Sequence, residues 1–272
     1  MSYSSRVWLY APLALFLGLA IWVMSHWWLA AQDMDQKLNA LNGHQAIPGV
    51  RVSWSKQTIA GFPFRLDVVL ENLSVRAEAP RGPVSWMSDH FALHALTYGR
   101  SQDVFEAAGR QVLAWTDADG AQHQLTFLPA TLRASAIEDG RGISRFDLDM
   151  LDAGGKGTDG AALTVGRAQF HLRRDPQADA LDVMLSAVEA KGATPFGDHI
   201  RSMEVYGQIT QGAAFTRLLT GKTGLMDALM AWRHDGGKLV ANKVGIQSSA
   251  LTTQSAGPEL EPALRVLLFP LY

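Results

Sequence analysis

The chain divides by the period of its apolar positions. From Val7 to Ala31 there is no period: VWLYAPLALFLGLAIWVMSHWWLAA carries no formal charge. About 25 residues make a helix of about 37 Å, long enough to cross a hydrocarbon core of about 30 Å with some tilt. Gln32 to Leu41 predicts a short helix leaving that span, closed by Gly43 and Pro48-Gly49. From Val50 onward the period is two. Val50, Val52 and Trp54 alternate with Arg51, Ser53 and Ser55, and Phe64, Leu66, Val68 and Leu70 alternate with Arg65, Asp67 and Glu71. Such segments are strands wet on one face.

At Asn72 the parity switches: Leu73, Val75 and Ala77 become the apolar set, so a bulge or tight turn is expected there. Further strands are predicted from Phe91 to Tyr98, Val104 to Thr116, Gln122 to Ala136, Ile143 to Leu151, Ala162 to Arg173, Ala180 to Val188, Ile200 to Thr210 and Lys238 to Thr253. Asp117-Ala118-Asp119-Gly120 and Asp139-Gly140-Arg141-Gly142 have the chemistry of hairpin turns. Helical spacing returns from Phe215 to Arg233, where Gly221 and Gly224 separate Phe215, Leu218 and Leu219 from a Leu225, Leu229, Trp232 stripe, and Gly236-Gly237 ends it.

Consecutive strands on short turns favour antiparallel pairing, because parallel neighbours need crossovers that this pattern lacks. The expected fold is mainly β with an N-terminal transmembrane helix, its curved antiparallel sheet or half-barrel covered by a C-terminal helix. Three regions are expected: residues 1–31 as cytoplasmic stub and anchor, 32–49 as juxtamembrane helix and linker, and 50–272 as a periplasmic β-rich domain.

Two readings of the apolar run compete. Leu29-Ala30-Ala31 before Gln32 resembles a signal-cleavage site, but the run exceeds a signal core of about 7 to 15 residues. Trp22, Trp27 and Trp28 gather at its C-terminal end, where indoles favour the headgroup layer, so a retained anchor fits better. Arg6 precedes the run and Asp33 and Asp35 follow it, which puts the N-terminus in the cytoplasm and the bulk of the chain outside the inner membrane.

Composition mostly removes possibilities. The net charge is -2 with basic residues spread thinly, so there is no electrostatic footprint for nucleic acid. The absence of cysteine excludes disulfides, thiol nucleophiles and cysteine-ligated metals. Gly155, Gly157 and Gly160 match a dinucleotide fingerprint, but the following Leu163, Val165, Ala168, Phe170 and Leu172 predict a strand where that motif needs a helix. Gly221-Lys222-Thr223 ends like a phosphate loop, yet Thr216 stands where the first glycine is required. His90 and His94 on a strand lie about 13 Å apart, too far to share a metal. Asp147 and Asp149 read as the wet face of a strand, and no nucleophile elbow is present. No catalytic, cofactor-binding or metal-binding residue is therefore expected, and the protein is expected not to be an enzyme. Gly61-Phe62-Pro63-Phe64 stands apart, with two large aromatics around a proline where a strand begins.

The single span, Trp54, Gly61-Phe62-Pro63-Phe64-Arg65 and Ala92-Leu93-His94-Ala95-Leu96-Thr97-Tyr98 together resemble an uncharacterised family of alphaproteobacterial membrane-anchored proteins, a domain of unknown function, over nearly the whole chain beyond the anchor. Trp232 followed by Gly236-Gly237-Lys238-Leu239 is similar to the W-x-x-x-G-G-x-L pattern of the wider AsmA-like envelope proteins. That likeness implies a periplasmic, strand-rich groove with an apolar interior, associated with lipids or envelope assembly, and brings no catalytic residues. The chain departs from that group in being short and in ending at Leu267-Leu268-Phe269-Pro270-Leu271-Tyr272.

The first expectation is an apolar groove lined by Trp54, Phe62, Phe64, Leu66, Val68, Leu225, Leu229 and Trp232 that binds lipid or an assembling protein. A dry, filled core is the alternative for the same residues. A second reading is an accessory subunit that binds another membrane protein through the helix, where Ala11, Ala14, Gly18 and Ala20 allow close approach, and through the sheet surface.

Overall fold

The computed structural model describes residues 4–79, 82–96, 102–117, 119–194, 196–250 and 252–256. Thr97 and Tyr98 of the strand expected from Phe91, residues 1–3 of the expected stub and the segment 267–272 lie outside the described residues.

One helix, α1 (Ser4–Leu41), carries the apolar run and continues through Gln32 to Leu41 without a break. The expected boundary at residue 31 is therefore not a structural one. The half-covered positions Trp27, Ala31, Met34, Leu38 and Leu41 form a stripe at helical spacing, and Met34, Leu38 and Leu41 pack on the first strands.

Among the described residues thirteen strands follow: β1 (Gln45–Ile47), β2 (Val50–Ser53), β3 (Lys56–Ala60), β4 (Arg65–Ala77), β5 (Val84–Leu96), β6 (Gln102–Thr116), β7 (Gln122–Asp139), β8 (Gly142–Gly157), β9 (Ala162–Arg174), β10 (Ala180–Thr194), β11 (Gly197–Thr210), β12 (Leu239–Ser248) and β13 (Thr252–Ala256). They form one antiparallel sheet in chain order, with β3 paired to β4 beside β2. A 3₁₀ turn (Gly212–Phe215), α2 (Thr216–Leu219) and α3 (Leu225–His234) stand between β11 and β12. The helix expected from Phe215 to Arg233 is thus split where Gly221 and Gly224 fall. The strand expected from Lys238 to Thr253 is two strands, because the chain turns after Ser248.

Register gives the sheet two unlike faces. One row of directly opposed residues reads Val68, Leu93, Phe105, Ala134, Leu148, Phe170, Leu185, Val205, Val244 from β4 to β12. The adjacent row, on the other face, reads Asp67, His94, Val104, Ser135, Asp147, His171, Met184, Tyr206, Lys243. Period two in every strand, held in register, segregates an apolar face from a polar one.

A crease crosses this pattern. Asn72, Gly109, Asp152 and Glu189, on alternate strands β4, β6, β8 and β10, all have left-handed backbone, with φ of 54°, 75°, 46° and 52°. Asp152 and Glu189 stand opposite Gly166 of β9 from its two sides. Across the crease, buried apolar residues are three apart, as in Leu70 and Leu73, so parity switches while the same face stays apolar. The switch expected at Asn72 is one of this series, and it lies within the continuous strand β4. Left-handed residues bend and further twist a strand.

A β-branched side chain resists left-handed backbone, whereas glycine adopts it freely. Asp152→Val is expected to unfold at lower urea than Asp152→Gly, by about 1–2 kcal/mol. Coincident urea midpoints for the two variants would contradict the crease.

Candidate functional site: an uncovered apolar face

Cover on the apolar face is local. At the first strands the end of α1 lies over Trp54, Val68, Leu70 and Leu73, with Val52, Val75, Phe91 and Leu93 around them. Trp54 is anchored there, its indole N–H donating to Gln57 Oε1 at 2.8 Å and its backbone joined to the Asn42 side chain. Toward the other end, Phe215, Ala228, Leu229 and Trp232 close over Leu172, Leu181 and Ile209. The Trp232 indole N–H donates to Thr210 O at 2.7 Å, and its ring lies over Gly237 so closely that a Cβ there would collide with it. That contact gives a physical reason for the tryptophan and glycine spacing noted in the sequence. Gly224, before α3, approaches the β1–β2 turn, where a Cβ would lie 2.7 Å from Pro48 O.

Between the covers, an apolar cavity of about 320 Å³ is lined by Trp86, Phe91, Phe105, Ala107, Phe127, Leu132, Ala134, Leu148 and Met150, with Arg133 beside them. Its size is at the small end of the about 300–1,000 Å³ usual for ligand pockets. Phe91 bridges two neighbours, edge-on to Trp86 and stacked on Phe105, each with ring centroids 6.0 Å apart. Gln111 lies beneath the apolar face and is wholly buried, taking the Trp86 indole N–H at 3.1 Å and donating to Ala108 O and Gly109 O. Asp103 shares the row of Ala95 and Ala136 at one end of this face, and burial pushes its carboxyl above the ordinary aspartate range.

The opposite face is stitched by charge. Glu106 pairs with Arg133, Asp149 with Arg167 and Glu204 with Lys243. Two hairpins repeat one arrangement, Arg65 and His94 on Asp67 and Arg145 and His171 on Asp147, with His N–H to carboxylate distances of 2.7 and 2.6 Å. These exposed and half-exposed pairs orient side chains more than they stabilise the fold. Among the described residues, no three His, Asp or Glu side chains converge to hold a metal ion.

Of the eight residues expected to line a groove, none lines this cavity. Trp54, Leu66 and Val68 are buried, with Trp54 and Val68 in the filled core beneath α1. Leu229 and Trp232 pack in the second cluster, and Leu225 is exposed. Phe62 and Phe64 are 52% and 61% exposed, outside the sheet's interior. The residues that do line it come from β5 to β8, where the same alternation was legible in Phe91 and Leu93, Phe105 and Ala107, and Leu148 and Met150. The glycine-rich segment lies at the end of β8 and in its turn to β9, where Gly157 N–H donates to Ala161 O. Gly221-Lys222-Thr223 lies between α2 and α3. His94 is engaged by Asp67.

Burial raises the Asp147 pKa, but hydrogen bonds from His171 and Arg145 outweigh it and leave the carboxyl below its ordinary value. A lowered folded-state pKa gives stability that is present above the unfolded value and lost as pH falls through the folded one. Acid unfolding is accordingly expected to draw on this pair below about pH 4, and Asp147→Asn to flatten that part of the stability profile measured by urea unfolding.

No curated protein and no solved structure matches the chain. The family model DUF2125, described as an uncharacterized protein conserved in bacteria, matches residues 27–263. Its match begins at Trp27, whose indole N–H donates to Arg65 O. With nearly all of the chain beyond the apolar run inside that match, the protein belongs to this uncharacterised bacterial family.

Proposed function

We propose that this is a non-enzymatic, membrane-anchored protein of the cell envelope whose uncovered apolar sheet face holds a lipid acyl chain. The single observation that carries the reading is the apolar cavity across β5 to β8, between two filled clusters, on a sheet face with no second layer there among the described residues. Exposed apolar surface on a folded domain marks a binding site, and an apolar trough of this width suits a hydrocarbon chain better than a polar metabolite. The chain carries its own source of such ligands. The described part of α1 is long and apolar enough to cross a bilayer, and its most apolar stretch is unburied by the rest of the protein. Arg6 before the span and Asp33 and Asp35 after it favour a cytoplasmic N-terminus and a periplasmic sheet at the inner membrane.

The test is lipid extraction and native mass spectrometry of the full chain, purified in a detergent that keeps it folded. The reading predicts co-purifying lipid, and Ala134→Phe, which fills the trough without adding charge, lowers the bound lipid by about tenfold or more, equivalent to about 1.4 kcal/mol per decade. The circular-dichroism spectrum and urea midpoint of the variant establish that it has folded. Equal lipid on both proteins, or a stoichiometric membrane-protein partner with no lipid, would overturn the reading.

A further inference from the structure

Phe62 and Phe64 remain unexplained by the trough, since both are large, apolar and more than half exposed. Their place on the molecule is specific. The Trp27 indole N–H donates to Arg65 O at 2.8 Å, and the Phe62 ring stands edge-on to Trp27 with centroids 5.5 Å apart. The segment between β3 and β4 is therefore folded against α1 at Trp27, and Phe62 lies at the same height on the helix axis.

That height can be compared with a bilayer. A hydrocarbon core of about 30 Å takes about 20 residues of helix, so a span beginning at Val7 reaches its far boundary near Trp27. Trp27 and Trp28 are the residue type that settles at such a boundary. Phe62 and Phe64 are then held in the headgroup and upper acyl layer, where their exposure costs nothing. An aromatic pair left in water would instead expose apolar area worth about 25 cal/mol per Å².

We infer that the Gly61–Arg65 segment is a second membrane contact, in which Phe62 and Phe64 insert into the bilayer surface beside the helix and fix the tilt of the sheet. The inference rests on the anchor reading above and deepens it. Its occupant is the lipid surface itself, because the contact is continuous with the spanning helix through Trp27. One consequence concerns the trough: strand β4 leaves the bilayer at Arg65, so the Leu66 and Ala95 end of the apolar face lies nearest the membrane. An acyl chain entering there need not cross water.

The cysteine-free sequence makes the test direct, since one introduced cysteine takes one label. Full-length Phe64→Cys, Leu128→Cys and Leu19→Cys, each carrying a nitroxide, are reconstituted in phosphatidylethanolamine and phosphatidylglycerol vesicles. Their accessibility to oxygen and to a water-soluble nickel chelate is then read by electron paramagnetic resonance. Leu128 is 60% exposed but lies on β7, level with the crease and away from α1. The expected result is oxygen-dominated relaxation at positions 64 and 19 and nickel-dominated relaxation at 128. If 64 behaves as 128 does while 19 reports lipid, the second contact is wrong and the anchor stands. If 19 also reports water, the anchor reading fails and takes the contact with it.

Discussion

The structure depends on one mismatch among the described residues, between the area of apolar sheet and the area of the helices that cover it. Laid flat, twelve strands at about 4.8 Å spacing span about 53 Å, while a helix with its side chains covers about 10–12 Å. The end of α1 and the α2–α3 segment together shield less than half of that width. Their two clusters are the places where buried apolar residues are densest near a helix. The strands between them keep Phe105, Leu132 and Leu148 only partly covered. The left-handed residues on alternate strands bend such a sheet locally.

The two faces of the sheet also differ in charge. Ionisable side chains are concentrated on the opposite face, where carboxylates meet arginine or histidine across neighbouring strands. The apolar face has little besides Gln111, whose donors and acceptor are engaged, and Asp103 at one end. A surface built this way excludes water and discriminates by shape.

Much of the fold was legible because antiparallel strands with one wet face alternate in sequence as they do in space. The strand stretches, the turn at Asp139-Gly140-Arg141-Gly142 and the parity switch at Asn72 could all be read from side-chain type. The crease as a transverse feature could not, since Gly109, Asp152 and Glu189 fall in line with Asn72 only once register is known. Nor could the packing of Met34, Leu38 and Leu41 on the sheet, because their stripe is masked by the apolar run before it. The residues expected to line a groove lie elsewhere than the cavity. Trp54, Val68 and Trp232 lie in the two clusters that the helices cover. The trough is made by ordinary alternation in β5 to β8, between the two helix-covered clusters of the described residues.

The most direct measurement is nuclear magnetic resonance of methyl-labelled full-length protein in nanodiscs, reading Overhauser contacts from Leu132, Leu148 and Met150 methyls to lipid acyl protons. The account predicts acyl contacts at these three methyls. Methyl groups there that contact only water or other protein side chains would contradict it.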